Sequence, residues 1–264
     1  MTMQLIEPNT ECNNCADSFL GLHYFYEAII GRDGRTIGIK ISVRFSDGCA
    51  KTPRRRYYSR RQLLLWKSIA FRAKLMVAGL PNVKIDGAYA PSKNIFIYAE
   101  QSSLLKEDAQ REVERLVSLL EKQSSKLVLI VDATQVGSGR LTPALIKTML
   151  AIKELGAEFA LRCSEGLQVE DSLLHLDIYS YVFIDMGTFN FPLRTKSDEA
   201  EYENLYEKMC TVIQHRNVKF IANNVKSYER AVAAYAMPFS CFEASRYVED
   251  IRELEGKKAS TMFP

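Results

Sequence analysis

No apolar run in the 264 residues approaches the roughly 18 that a membrane-spanning helix requires. The first sixteen positions carry Glu7, several asparagines and two cysteines where a secretory leader needs an apolar centre. Both absences make a cytoplasmic protein without membrane partners the expectation. Glycine and proline are scarce, 13 and 8 residues, which excludes collagen-like and low-complexity chains. Six cysteines are too few for a disulfide scaffold. Cys49, Cys163, Cys210 and Cys241 stand singly in apolar or mixed stretches, as small hydrophobes do in a reducing compartment. The three histidines, His23, His175 and His215, are too scattered for a catalytic cluster. Acidic residues are missing from one stretch altogether. Between Gly48 and Ile85 stand Lys51, Arg54, Arg55, Arg56, Arg60, Arg61, Lys67, Arg72, Lys74 and Lys84 without one Asp or Glu. Since the whole chain carries only +3, this basic segment is attached to an acidic body.

What is present is a regular order. Hydrophobic residues make up 47% of the chain, enough for a sizeable core. Tyr24 to Ile30 and Ile37 to Phe45 flank Gly31-Arg32-Asp33-Gly34, turn chemistry between two hairpin strands. Ser59 caps a pattern with Leu63, Trp66, Ala70, Ala73 and Val77 at helical spacing, ended by Gly79-Leu80-Pro81. Strand and helix then alternate. Strands are expected at Asn94–Ala99, Leu127–Val131, Glu158–Arg162, Tyr181–Asp185, Lys219–Asn223 and Phe239–Glu243. Helices are expected at Lys106–Lys122, Leu141–Leu155, Val169–Leu176, Ser197–His215 and Ser227–Met237. Short apolar strands alternating with helices require a parallel sheet covered on both faces or closed on itself, and about eight strands favour a barrel. The expected organisation is an extension over 1–19, a barrel over 20–250 and a tail over 251–264.

The strand ends resemble those of a known family. Gly38-Ile39-Lys40-Ile41-Ser42-Val43-Arg44-Phe45 occupies the place of the G-x-E-A-L-x-R-[WF] signature of EAL domains, the cyclic di-GMP phosphodiesterases. Leu127 to Thr134 resembles the L-E-L-E-I-T-E-S strand, Ala157 to Gly166 the strand ending in D-D-F-G-T-G, Val182 to Asp185 the L-K-I-D strand, and Phe220 to Lys226 the V-A-E-G-V-E strand. The resemblance implies a modified (β/α)8 TIM-like barrel with one reversed strand, and the opening hairpin fits the reversal. It also implies divalent metal held by carboxylates and an Asn, since hard cations take oxygen ligands. Here the sequence departs. The resemblance puts Lys40 at the Glu of E-A-L, Tyr98 at the Asn, Ile130 at the next Glu, Arg162 and Cys163 at the paired Asp residues, Phe183 at the Lys, Asn223 at a further Glu and Glu243 at the late Gln. The expectation is a chain without catalysis, metal or cofactor.

Three cations, Lys40, Arg44 and Arg162, fall toward the barrel mouth and form a candidate phosphate site, unless they pair with Asp132 or Asp185. Arg54, Arg55, Arg56, Arg60, Arg61, Lys67 and Lys74 form a candidate partner-binding surface. Arg60, Lys67 and Lys74 share one helical stripe, and Arg60 and Arg61 lie in a first turn, where the helix dipole disfavours cations. A solvated face is the plain alternative. Cys12-Asn13-Asn14-Cys15 lacks a second ligand pair, so a tail is favoured over a zinc site. Gly137-Ser138-Gly139 lacks the strained nucleophile elbow and reads as a loop. The functional expectation is a regulator that binds another macromolecule, resembling EAL-like proteins that block a transcription activator. A cyclic di-GMP receptor is the alternative. Direct nucleic acid binding is disfavoured for want of a module. Self-association between the basic segment and Asp198, Glu199, Glu201, Glu203 and Glu207 is a rival.

Overall fold

Glycine and aspartate chemistry in the turn Gly31-Arg32-Asp33-Gly34 starts the barrel. In this computed structural model the described residues are 22–45, 94–122, 124–133, 142–163, 177–191, 195–244 and 248, with strand pairing alone given for 22–26 and 43–45. Strands β1 (Leu22–Gly31) and β2 (Thr36–Phe45) pair antiparallel through the anticipated turn, where Gly34 has φ +77° and its N–H donates to the Gly31 carbonyl at 2.9 Å. A positive φ is cheap for glycine, so the chain reverses here without strain. The register sets Glu27 opposite Lys40 and Ile29 opposite Gly38.

From β2 onward all neighbours are parallel. The strands β3 (Asn94–Tyr98), β4 (Lys126–Asp132), β5 (Glu158–Cys163), β6 (Tyr179–Asp185), β7 (Lys219–Asn223) and β8 (Cys241–Glu243) follow in order, and β8 pairs antiparallel with β1 to close the barrel. Only β1 runs against the others, so the modified eight-stranded barrel with one reversed strand is observed. The described helices are α1 (Gln101–Leu104), α2 (Glu107–Glu121), α3 (Pro143–Glu154), α4 (Lys196–His215) and α5 (Tyr228–Ala236).

Local chemistry explains the boundaries. Thr142 caps α3 by accepting from the Leu145 N–H at 3.3 Å, Pro143 occupies the first turn, and Gly156 ends it at φ +102°. Thr195 and Asp198 form a reciprocal capping box on α4, so Asp198 serves its own helix. The helix expected from Lys106 is preceded by a separate short turn, α1, which seats Gln101 against β4 through a bond from Nε2 to the Asp132 carbonyl at 2.9 Å. The last strand is shorter than expected, because Phe239 and Ser240 still belong to the connection from α5. The helices expected over 59–78 and 169–176, the extension, the tail, Cys12, Cys15, Cys49, His175 and 137–139 lie outside the described residues.

Alternation along each strand produces two apolar layers. Ile29, Phe96, Val128, Ile130, Ala160, Tyr181, Phe183, Ile221 and Cys241 fill the interior, where Phe96 meets Tyr181 and Phe183 edge to face at 5.2 and 5.8 Å. The alternate residues, among them Leu129, Leu161, Ile184 and Phe220, pack outward against Val113, Leu116, Met149 and Met209 of the helices. The interior is therefore a filled plug, and any chemistry sits above it. Gly38 is the narrow point: a Cβ there would meet Phe96 at 2.5 Å and the Asn94 carbonyl at 2.6 Å.

Candidate functional site

Two residues beyond the plug on every strand stands a polar or charged side chain. Continuing the period of two gives Tyr98 after Phe96, Asp132 after Ile130, Arg162 after Ala160, Asp185 after Phe183, Asn223 after Ile221 and Glu243 after Cys241. Lys40 follows Gly38, and Glu27 precedes Ile29 on the reversed strand. Adjacent registers join them: Glu27 with Lys40, Asp132 with Arg162, and Asp185 with Asn223. This layer of eight, one from each strand, forms the mouth of the barrel. It holds four carboxylates against two cations, an excess of two negative charges.

Lys40 is the hub. Only 6% exposed, it lies 2.6 Å from Glu27 Oε2 and donates from Nζ to Glu243 Oε1. Burial disfavours its charge, but Glu243, Tyr98 and Glu27 together outweigh that and push its pKa up to about 12. It is an ammonium at neutral pH. Glu243 is fixed from its other oxygen by the Asn224 backbone N–H at 3.2 Å. Asn224, in the left-handed region at φ +56°, also donates from Nδ2 to Asp185 Oδ1 at 2.8 Å, and that oxygen accepts from the Gly187 N–H at 2.7 Å. The Asn224 side chain thereby links β6 to the Glu243 support.

Arg162 is held more loosely. Its Nε lies 4.0 Å from Asp132 Oδ1, too far for a hydrogen bond, and its guanidinium stands 5.3 Å from the centre of the Tyr98 ring. Burial raises the Asp132 pKa and the nearby Arg162 only partly offsets this. Burial likewise raises the Tyr98 pKa.

Of the expected site residues, the structure brings Lys40, Tyr98, Arg162, Asn223 and Glu243 into this layer. Ile130 and Phe183 lie one layer deeper, inside the plug. Cys163 faces the helices, with its thiol pushed up to about 12 by burial and Asp132, and so stays protonated. Arg44 lies in β2 in register with His23, and its side chain is outside the described atoms. Arg54, Arg55, Arg56, Arg60, Arg61, Lys67 and Lys74 lie outside the described residues. The anticipated pairing of the mouth cations holds for Arg162 with Asp132, but Lys40 takes Glu27 and Glu243 rather than Asp185. Sequence reasoning passed over Glu27, because counting outward from the turn at Arg32-Asp33 sets it opposite Gly38, and the register shift between Ile29 and Ile30 is what brings it opposite Lys40. The Asn224 links were beyond its reach, since they depend on one backbone conformation.

A divalent metal does not fit this donor set. A fixed ammonium, a phenol and a guanidinium stand where oxygen anions would be needed. Among the described residues no three His, Cys, Asp or Glu side chains are grouped to hold an ion.

The fold is similar to solved EAL structures. The EAL enzyme Bd1971, in its cAMP- and cyclic di-GMP-bound form, superimposes with a TM-score of 0.59 at 12% identity, covering 89% of this chain and 65% of that one. BlrP1 of Klebsiella pneumoniae, in a calcium and cyclic di-GMP complex, gives 0.62 at 15%, covering 85% and 54%. The EAL domain of Mycobacterium smegmatis DcpA gives 0.60 at 11%, covering 89% and 98%. This chain thus spans just under two thirds of the first and about half of the second. Identities this low carry the fold alone. No protein-family profile and no curated protein matches the sequence.

Proposed function

We propose that this chain is an EAL-like barrel that does not hydrolyse cyclic di-GMP and acts by binding another macromolecule, a transcription regulator being the partner class that the resemblance suggests. The observation that carries the loss of catalysis is Lys40. Its buried ammonium, paired with Glu27 and Glu243, stands where the resemblance puts the Glu of the signature. An ammonium and a divalent ion about 4 Å apart repel by about 8 kcal/mol even at an effective dielectric of 20, so Lys40 opposes a divalent ion beside it. Purified protein with magnesium or manganese is expected to leave cyclic di-GMP intact in a product assay. Turnover that Lys40→Ala or Phe183→Ala abolishes would remove this reading.

The second reading, a non-hydrolysing cyclic di-GMP receptor, is favoured by the similar structures that carry that ligand. The excess negative charge of the mouth opposes a phosphodiester, and Lys40 and Arg162 both face carboxylates there. Calorimetry with cyclic di-GMP separates the two. No heat is expected, and micromolar binding would favour the receptor.

Partner binding is assigned to the basic segment, because ten cations without an anion between Gly48 and Ile85 create a field that steers an acidic surface. Capture of a partner from the native extract by wild type, and its loss at high salt, is the expected result.

A further inference from the structure

We infer that the arc of the mouth formed by Asp185, Asn223 and Glu243 receives a primary ammonium group on an alkyl stem. Three observations carry this. First, Asn223 is 4% exposed and follows Ile221 of the plug by one strand repeat, so it faces the mouth, and its Oδ1 is buried without a hydrogen-bond donor. A buried carbonyl oxygen left unpaired is costly and marks a place where a donor belongs. Secondly, its neighbours are acceptors too. Asp185 is its register partner on β6, and Glu243 stands on β8 on the other side. Thirdly, the layer of eight strand-end residues carries two more carboxylates than cations, and Lys40, the cation bonded to this arc, is already shared between Glu27 and Glu243.

The chemistry selects the class of cation. Asp185 Oδ1 and both Glu243 oxygens already accept N–H bonds from Gly187, Asn224 and Lys40. Those donors leave no room for the six to eight direct oxygen contacts, at about 2.0–2.6 Å, of a bare divalent ion. An ammonium needs only two or three acceptors at hydrogen-bond distance and, with one charge, meets half the repulsion from Lys40 that a divalent ion meets at the same distance. An anion or an apolar group leaves Asn223 Oδ1 unpaired. The inference is independent of whether cyclic di-GMP binds, and both readings of function survive or fail apart from it.

The test is calorimetry and thermal shift at pH 7.5 with n-propylammonium, spermidine and the lysine tripeptide Gly-Lys-Gly, with propionate and magnesium as controls. Saturable binding of at least one amine is expected, with neither control binding. Asn223→Leu is expected to weaken it at least tenfold. Asn223→Asp, which adds charge at the same place, is expected to tighten it several-fold, so misfolding of the first variant does not hide the answer. Tighter binding of spermidine identifies a free amine as the natural occupant, and tighter binding of the tripeptide identifies a partner's lysine. Absence of amine binding to the wild type, equal affinity in all three proteins, or magnesium binding in the amine's place would each overturn the inference.

Discussion

Lys40 shows how one buried cation holds together the carboxylates of neighbouring strands. A buried carboxylate whose counter-ion is removed costs roughly 3–5 kcal/mol, more than a well-packed neutral replacement. Lys40→Met is therefore expected to destabilise the barrel by about 3 kcal/mol in urea unfolding, because it strands Glu243, which is 13% exposed. Adding Glu243→Leu is expected to restore most of the loss. The pH dependence has a definite sign. A lysine whose folded pKa is raised contributes stability that is complete below its unfolded value near ~10.4 and disappears as pH rises through about 12. Stability of the wild type is expected to fall between those limits, and Lys40→Met is expected to show a shallower decline over the same window.

At the scale of elements, the hairpin and α5 are locked together by Arg32. Its Nε donates to the Phe239 carbonyl at 2.8 Å, its terminal nitrogen to the Tyr235 carbonyl at 2.8 Å and to that of Met237, and its guanidinium lies within 6 Å of the Tyr235 and Phe242 rings. These carbonyls belong to the end of α5 and the connection into β8, so one fork holds together the β1–β2 turn and the chain that closes the barrel. Arg32→Ala is expected to cost about 2–3 kcal/mol in thermal or urea unfolding, with little rescue by Arg32→Lys, whose ammonium lacks the fork. Gly38→Ala tests the plug in the same way. With a Cβ 2.5 Å from Phe96 and 2.6 Å from the Asn94 carbonyl, backbone has to move, and a loss of about 1–3 kcal/mol is expected.

On the scale of the whole molecule, charge is divided between parts. The barrel mouth and the exposed Glu199, Glu201, Glu203 and Glu207 of α4 are acidic, whereas the segment from Gly48 to Ile85 is basic. Replacing Arg54, Arg55, Arg56, Arg60 and Arg61 together with Glu is expected to abolish partner capture, with the melting temperature measured alongside to show that the fold is retained. Sedimentation at low and high salt tests the rival. A wild-type monomer at both salts excludes pairing of the basic segment with α4 of a second copy, and a reversed variant that still captures its partner excludes the basic segment. No helix among the described residues is long and apolar enough to cross a membrane.

The local pattern of the chain was sufficient for the order of the described strands, the opening hairpin that makes β1 antiparallel to β2, the preference for a barrel over an open sheet and the caps at Thr142 and Gly156. Each of these depends on spacing within a few residues or on the count of strands. The mouth was legible only in part. Lys40, Tyr98, Arg162, Asn223 and Glu243 emerged from the resemblance to the EAL strand motifs, and the period of two in the folded strands sets them in one layer. That Lys40 takes Glu27 and Glu243 depended on barrel closure, which brings β1 and β8 together across more than 200 positions of sequence. The depth of Ile130 and Phe183, and the bond from Asn224 to Asp185, followed from the stagger of neighbouring strands and one left-handed residue. Local spacing determines which face a side chain takes, whereas the height of that side chain in the barrel and its partner across the mouth are set by register, which only the closed sheet decides.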